Sequence, residues 1–154
     1  MDERFMKEAL CLAEQGRERG EVPVGAVIVK DGHILCGAHN LRNTDRISTA
    51  HAELLAIEEA CRIVGDWRLT GCTLYVTLEP CPMCAGAIVN SRIERVVFGT
   101  KDPAAGCCGS LLNLNAYPFN HAFAITGGVC ETECRAILAD FFAERRKQKE
   151  RTTS

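Results

Sequence analysis

Apolar residues in the first segment of the chain recur three and four positions apart, with charged residues between them. The segment runs from Glu3 to Arg19 and includes Phe5 and Ala9. This period predicts an amphipathic helix that buries one face. Gly20 follows the last apolar turn, so we expect the helix to end there.

Five short apolar runs, each bounded by turn residues, predict β-strands. The runs cover residues 24–29, 33–38, 73–78, 95–99 and 122–126. Asp31-Gly32 separates the first two runs. Both positions favour a positive φ, which predicts a tight hairpin between these strands.

Three further segments have the features of helices. They cover residues 50–64, 82–90 and 131–149. Ser48 or Thr49 can cap the first of them, and Pro82 is acceptable in the first turn of the second. Because strands and helices alternate along the chain, we expect the α/β class, a sandwich with helices on both faces of one sheet.

Composition describes an ordinary globular protein of one domain. The chain has 154 residues, of which 47% are hydrophobic and 25% are charged, enough for a sizeable core. No apolar run approaches the roughly 20 residues of a membrane span, and the charged N-terminus does not resemble a secretory signal. We expect a single domain over residues 1–154, a cytoplasmic location and no membrane partner.

The charge is nearly balanced overall but uneven along the chain. A net charge of −2 gives no global argument for binding nucleic acid. Residues 144–151, however, hold five basic and two acidic side chains. We therefore expect a basic end to the last helix, over residues 144–154, that is either a local nucleic-acid contact or a solvated helix end.

Ten cysteines need an explanation other than a disulfide scaffold, because the chain has an ample core and no secretory signal. In a reducing compartment, clustered cysteines more often bind metal or take part in chemistry. Tight ligand spacing in a suitable context occurs at Cys81 and Cys84. We expect the four cysteines that precede this pair to be small, buried core residues; they are Cys11, Cys36, Cys61 and Cys72.

A metal-binding pattern joins two predicted helix starts. His51-Ala52-Glu53 precedes Pro80-Cys81-Pro82-Met83-Cys84 by thirty positions. Unpaired N–H groups and the helix dipole favour thiolates there, and two thiolates with one imidazole suit zinc. Three protein ligands leave the fourth tetrahedral position to water, as in a catalytic site.

Glu53 is expected to carry protons and not to bind the metal. It lies two residues from His51, roughly 200° around a helix. Zinc lowers the pKa of its water from about 15.7 to about 7, so Glu53 beside that water can move its proton to a substrate. A redox dithiol and a structural-zinc RNA-binding module are the alternatives, but neither gives Glu53 a task.

The His-x-Glu and Pro-Cys-x-x-Cys pattern is typical of zinc deaminases. The chain resembles the bacterial tRNA-specific adenosine deaminases of the cytidine deaminase-like superfamily, from about residue 5 to 146. The most specific matching stretches are residues 21–27, 49–53 and 73–87, and residues 91–93 and 96–99 also fit. The resemblance implies a three-layer α-β-α sandwich with a central mixed five-stranded sheet, one Zn²⁺ per subunit and a homodimer with the active site near its interface.

The same resemblance implies a reaction. Adenosine at the wobble position (position 34) of an arginine tRNA anticodon becomes inosine, when zinc-bound hydroxide attacks adenine C6. The alternative is a deaminase of the same fold that acts on free guanine, cytosine or cytidine.

The resemblance further implies contacts with the anticodon loop. Val24 would line the base pocket, Asn40 would bind the flipped nucleoside, and Asp102 would touch a neighbouring ribose. Further contacts would come from Asn120, His121, Phe141, Phe142, Arg145 and Arg146. The alternatives are a turn residue for Asn40 and core packing for the two phenylalanines.

Two stretches depart from the family pattern. Asp45-Arg46-Ile47-Ser48 replaces a loop that more typically contains proline, and Cys107-Cys108 stands where small residues are usual. We interpret the two cysteines as substitutes for alanine, with vicinal redox chemistry or a second metal as the alternatives.

Overall fold

The computed structural model describes residues 1–153, and the predicted basic end therefore includes one residue, Ser154, outside the described part. The strands are β1 (Gly25–Lys30), β2 (His33–His39), β3 (Cys72–Leu78), β4 (Arg95–Thr100) and β5 (Ala124–Thr126). The α-helices are α1 (Asp2–Glu18), α2 (Arg42–Asp45), α3 (Ala52–Val64), α4 (Pro82–Ser91) and α5 (Glu131–Thr153). A short 3₁₀ helix covers Leu114–Ala116.

The five strands form one mixed sheet in the order β2-β1-β3-β4-β5. β1 pairs antiparallel with β2 and β3, whereas β3, β4 and β5 run parallel. Asp31 and Gly32 have φ values of 52° and 75°, which confirms the predicted hairpin. The α4 crossover between β3 and β4 brings the carboxyl ends of both strands to the same edge of the sheet.

Alternate strand residues face the two helical layers, as a period of two requires. Ile28 and Leu74 pack in the core that α3 and α4 cover. Val27 and Tyr75 face the other side, with Phe5 of α1 and part of α5. The sandwich with helices on both faces of a mixed five-stranded sheet is therefore confirmed.

An ion pair ties the first helix to the start of β4. Arg95 donates to both carboxylate oxygens of Asp2, at 3.0 and 2.7 Å. The Tyr75 hydroxyl donates to the same carboxylate at 2.8 Å. Since this contact lies at the beginning of β4, it stabilises the end of the sheet away from the residues that follow Thr100.

The predicted cap of α3 is wrong. The helix begins at Ala52, and its N-cap is His51, not Ser48 or Thr49. Backbone hydrogen bonds from Ala50 to Ile47 and from His51 to Thr49 keep this stretch in tight turns, so the helix starts later.

The prediction that the first four cysteines are buried holds in full for Cys72. Cys11 is exposed, and Cys36 and Cys61 are half-buried. Cys11 lies two positions from the buried Ala9 and Ala13 of α1, and two positions turn a helix by roughly 200°, onto the solvent face. Along residues 1–153, none of the helices combines the length and apolar character that crossing a bilayer requires.

Candidate active site

The three predicted metal ligands meet at the starts of two neighbouring helices. His51 is the N-cap residue of α3 and Cys81 is the N-cap residue of α4, both with extended backbone. Cys84 lies in the first turn of α4 and is buried. Because helix starts present unpaired N–H groups and a positive dipole, this position favours the thiolate form that binds metal.

The spacing of the ligand atoms fits zinc. The Nδ1 atom of His51 lies 3.7 Å from the Cys81 sulfur and 3.6 Å from the Cys84 sulfur. With Zn–S near 2.3 Å and Zn–N near 2.0–2.1 Å, a tetrahedral site has a nitrogen–sulfur edge of about 3.6 Å. Among the described residues, these three form the one group of His, Cys, Asp and Glu side chains close enough to hold a metal ion.

The pKa values of the two sulfurs are shifted in opposite directions. Hydrogen bonding with Cys84, assisted by His51, outweighs burial and lowers the pKa of Cys81 to about 4. The same hydrogen bond, together with burial, raises the pKa of Cys84. Because both sulfurs must be thiolates to ligate zinc, metal binding requires Cys84 to lose its proton.

Glu53 is a buried carboxyl group next to His51, Cys81 and Cys84, the three potential ligands that we call the metal group. It is the second residue of α3 and is 4% exposed. Burial raises its pKa, which moves the carboxyl towards the neutral range where a general acid–base group works best. It is absent from the set of potential ligands, as its position on the helix predicts.

A cavity of about 400 Å³ opens beside this group. His51, Glu53 and Cys81 line it. Four residues that the family resemblance assigns to substrate also line it, namely Val24, Asn40, Asp102 and Arg145. The cavity therefore joins the potential metal ligands to part of the predicted substrate contacts.

One wall of the cavity is formed by Asn40, Arg42 and Asn43. The Arg42 N–H donates to Asn40 Oδ1 at 3.0 Å. The buried Glu21 carboxylate accepts the N–H groups of Asn43 and Thr44, at 3.1 and 2.6 Å. Burial favours the neutral acid, but the hydrogen bonds from Thr44 and Asn43 outweigh it and lower the pKa of Glu21. The buried Glu21 carboxylate therefore holds the backbone of this wall in place through hydrogen bonds.

A second wall is formed by Asp102 and Ala105, after the end of β4. Asp102 Oδ1 accepts the N–H groups of Ala104 and Ala105, at 3.1 and 3.3 Å. The Asp102 N–H donates to Glu79 at 3.1 Å. Burial raises the pKa of Glu79, but the hydrogen bonds from Ser110, Asp102 and Cys108 outweigh burial, so the pKa is lowered overall.

Two predicted contacts, Asn120 and His121, lie far from the cavity of their own chain. His121 Nε2 is 2.7 Å from the carbonyl oxygen of Ile93. Ile93 precedes β4, whereas Asp102 follows it, so the pair lies at the opposite end of this strand. The structure does not bring them together with the metal group in one chain.

The predicted contacts on α5 are divided. Arg145 lines the cavity and its guanidinium lies 5.3 Å from the ring centroid of the half-buried Phe141. Phe142 is 43% exposed, so core packing does not explain it. Arg146 is exposed and does not line the cavity.

The sequence interpretation missed Arg42, Asn43 and Glu79 as parts of the cavity. The first two lie on α2, whose four residues are too few to show a helical period. Glu79 follows the apolar run of β3, and no period or turn motif in the sequence indicates that it is buried. Cys107 and Cys108 are both buried, and neither belongs to a potential metal group among the described residues.

Comparisons with known proteins agree with this geometry. The profile of the family described as the cytidine and deoxycytidylate deaminase zinc-binding region matches residues 1–100. The tRNA-specific adenosine deaminase of Bacillus subtilis (strain 168) is 57% identical over 149 residues, which cover 96% of this chain and 92% of that protein. The chain belongs to the tRNA-specific adenosine deaminase family. The member from Haemophilus influenzae is 45% identical, over 96% of this chain and 87% of that protein.

Solved structures place this deaminase among relatives of the same fold. A structure from work on A-to-I editing by tRNA:A34 deaminases at the wobble position of transfer RNA has a TM-score of 0.85 and 43% identity, and covers 88% of this chain and 99% of that one. Guanine deaminase from Bacillus subtilis has a TM-score of 0.62 and 44% identity, over 64% of each chain.

Family membership and geometry together establish the class of enzyme. The chain is a zinc-dependent deaminase, a hydrolase, and its His, Cys and Cys group can bind one metal ion. The structure contains no second candidate group among the described residues.

Proposed function

We propose that this deaminase converts adenosine to inosine at the wobble position, position 34, of a tRNA anticodon, with an arginine tRNA as the substrate. The names of the relatives support the tRNA substrate. The main support for the proposed chemistry is that the buried Glu53 lies beside three potential zinc ligands at a single cavity.

The ligands in this proposal are His51, Cys81 and Cys84. Their nitrogen–sulfur distances of 3.7 and 3.6 Å fit a tetrahedral site. Zinc supplies the Lewis acidity that lowers the pKa of water to about 7 and makes it a nucleophile at neutral pH.

Glu53 moves the protons of the reaction. It accepts a proton from the attacking water while the water oxygen bonds to C6 of adenine, and it delivers that proton to N1 of the ring. It then transfers the remaining hydroxyl proton to the amino nitrogen. The C6–N bond breaks, ammonia leaves, and the C6 carbonyl of inosine forms, which accounts for all atoms of adenosine and water.

Asn40 offers a hydrogen-bond donor to the substrate. Its Oδ1 already accepts the Arg42 N–H, whereas its amide nitrogen retains two donors that it can offer to a substrate in the cavity. The partner of this amide on the nucleotide would be an acceptor, such as a ring nitrogen or a ribose oxygen. Asp102, on the second wall, has the opposite polarity and suits a ribose hydroxyl of the neighbouring nucleotide.

We also propose a homodimer, located in the cytoplasm where tRNA is found. Two observations support the dimer. Tyr117 and Phe119, each 53% exposed, pack against each other on the surface before β5. Asn120 and His121 follow them directly, so any role of this pair at a catalytic cavity requires the cavity of a second subunit.

An inosine assay on anticodon stem-loops tests the substrate. We expect inosine in an arginine stem-loop with adenosine at position 34, and little product from free adenosine. An anticodon loop already has unpaired bases, so extruding one costs least there. The control is the same stem-loop with adenosine moved to another loop position. Efficient deamination of free bases together with an inert stem-loop would contradict the proposal.

Free guanine or cytosine is the second candidate substrate. The similarity to the Bacillus subtilis guanine deaminase favours it, although that similarity covers 64% of each chain against the 88% and 99% shared with the tRNA:A34 deaminase. Including guanine, cytosine and cytidine in the same assay separates the two candidates, because the chemistry at C6 of a purine or C4 of a pyrimidine is nearly the same.

Arg145 and Arg146 are expected to bind RNA phosphates. Replacing both with alanine should weaken stem-loop binding and reduce the slope of log affinity against log salt by about 1.4, because each neutralised phosphate of a single strand contributes about 0.7. The matched control is the double variant Lys7→Ala and Arg62→Ala, which removes two exposed cations elsewhere. Filter-binding titrations over a salt series measure both, and equal slopes in the two double variants would exclude these phosphate contacts.

A further inference from the structure

Glu79 is a buried carboxylate between β3 and α4, and it takes no part in the proton transfers proposed for Glu53. It is 2% exposed. Its Oε1 accepts the Asp102 N–H at 3.1 Å and the Ser110 hydroxyl. Its Oε2 accepts the N–H groups of Cys108 and Ser110, at 3.0 and 3.1 Å. Four donors from residues 102–110, which we call the Asp102 loop, therefore converge on one side chain.

The backbone around Glu79 reinforces this connection. The Glu79 N–H donates to the carbonyl of Thr100 at 2.9 Å, and the Cys107 N–H donates to the carbonyl of Pro80 at 2.8 Å. The next residue is Cys81, a proposed zinc ligand. The loop that carries Asp102 and the turn that carries Cys81 consequently form one hydrogen-bonded unit.

The Asp102 loop is also shaped around the carboxylate at Gly106. A Cβ atom at Gly106 would lie 2.4 Å from Cδ of Glu79 and 2.6 Å from the backbone oxygen of Asp102. A backbone oxygen and a side chain held by four donors have little freedom to move away. Glycine at this position therefore permits the loop to close onto Glu79.

We propose that Glu79 is a positioning residue for the substrate, which holds the Asp102 loop against the Cys81 turn and so fixes the distance between the nucleotide-binding wall and the metal group. The proposal rests on the proposed function, because Asp102 is taken to contact the nucleotide next to the flipped base. Glu79 acts through Asp102 and not through the reacting atoms.

Glutamine at this position tests the carboxylate with little change of shape. Its amide group can accept hydrogen bonds at one oxygen, whereas all four contacts to Glu79 come from donors. The least costly orientation places the amide nitrogen at the Oε1 position, where the Ser110 hydroxyl can reverse its role and accept. The backbone N–H of Asp102 cannot reverse, so Glu79→Gln selectively releases Asp102 from its anchor.

The experiment compares Glu79→Gln, Ser110→Ala and Asp2→Asn with the wild type. Ser110→Ala removes one of the four donors at an exposed position, and it keeps the proposal testable if Glu79→Gln folds poorly. Asp2→Asn is the matched control, because it weakens a partly buried carboxylate contact at the opposite end of β4. Steady-state kinetics on the stem-loop, zinc content and amide hydrogen exchange of the Asp102 loop are measured for each.

We expect the KM of Glu79→Gln to rise about 10- to 100-fold, the scale of the losses in metal affinity or activity that follow removal of a group that orients a metal ligand. The kcat should fall less, zinc should remain, and amide exchange should accelerate within the Asp102 loop. Ser110→Ala should show the same split with a smaller change, and Asp2→Asn should show none of it.

Two results would overturn the proposal. One is a KM for Glu79→Gln and Ser110→Ala that equals the KM of Asp2→Asn; the other is loss of zinc from Glu79→Gln, which would make Glu79 a support of the metal site. A wild type that ignores the stem-loop but deaminates a free base refutes the proposed substrate instead. Amide exchange then still tests the anchor, because a free base has no neighbouring nucleotide for Asp102 to contact; equal exchange of the Asp102 loop in Glu79→Gln and Asp2→Asn counts against a role for Glu79.

Discussion

Glu53→Ala is expected to stop turnover while the metal stays in place. General acid–base groups typically contribute about 10²–10⁴-fold, and Glu53 is used for two proton transfers in each cycle, so the loss in kcat should reach at least that range. Zinc should remain near one equivalent, because Glu53 is not among the potential ligands. Inosine formation at saturating stem-loop and elemental analysis of the purified variant measure the two quantities.

Glu58→Ala provides the matched control for Glu53→Ala. Glu58 lies on the same helix but is exposed, so its removal changes the charge of α3 without touching the cavity. We expect normal rate and normal zinc. A Glu53 variant that keeps a near-normal rate would refute the proton-transfer role, and one that loses zinc would identify Glu53 as a ligand.

The elements and the metal group could be predicted from the sequence because both depend on local patterns. The hairpin at Asp31-Gly32 follows from turn chemistry, and α1 follows from its apolar period. The ligand group follows from residue types at two helix starts, since a helix start fixes the direction of its first side chains. The cap of α3 was the local error, because backbone turns before His51 prevailed over the preference of Ser48 and Thr49 for caps.

The walls of the cavity could not be predicted, because they depend on contacts between residues distant in the chain. Glu21 and Glu79 resemble surface charges in the sequence. Both are buried, however, and each accepts hydrogen bonds from backbone N–H groups 22 to 31 positions away. Neither a period nor a turn motif reports such a contact. For the same reason, sequence similarity assigned Asn120 and His121 to the substrate but could not show that they lie at the far end of β4.

Cys81→Ser and Cys84→Ser are expected to lose zinc and, with it, activity. A serine hydroxyl is a far weaker acid than a thiol, so it does not supply the soft anionic ligand that zinc prefers. Each variant would keep two of the three ligands, His51 and one cysteine, and two protein ligands are too few to bind zinc tightly in a tetrahedral site. We expect zinc well below about one equivalent after dialysis against a chelator, and no inosine above background.

Cys107→Ala and Cys108→Ala are the controls that separate ligation from the general loss of a cysteine. Both thiols are buried near the cavity, and burial raises the pKa of Cys108 to about 12, which keeps it a thiol at neutral pH. The Cys108 N–H that reaches Glu79 is a backbone group and survives the substitution. These two variants should therefore retain zinc and most activity. If either loses zinc, Cys107-Cys108 takes part in metal binding after all, and the three-ligand site with its fourth position open to water is wrong.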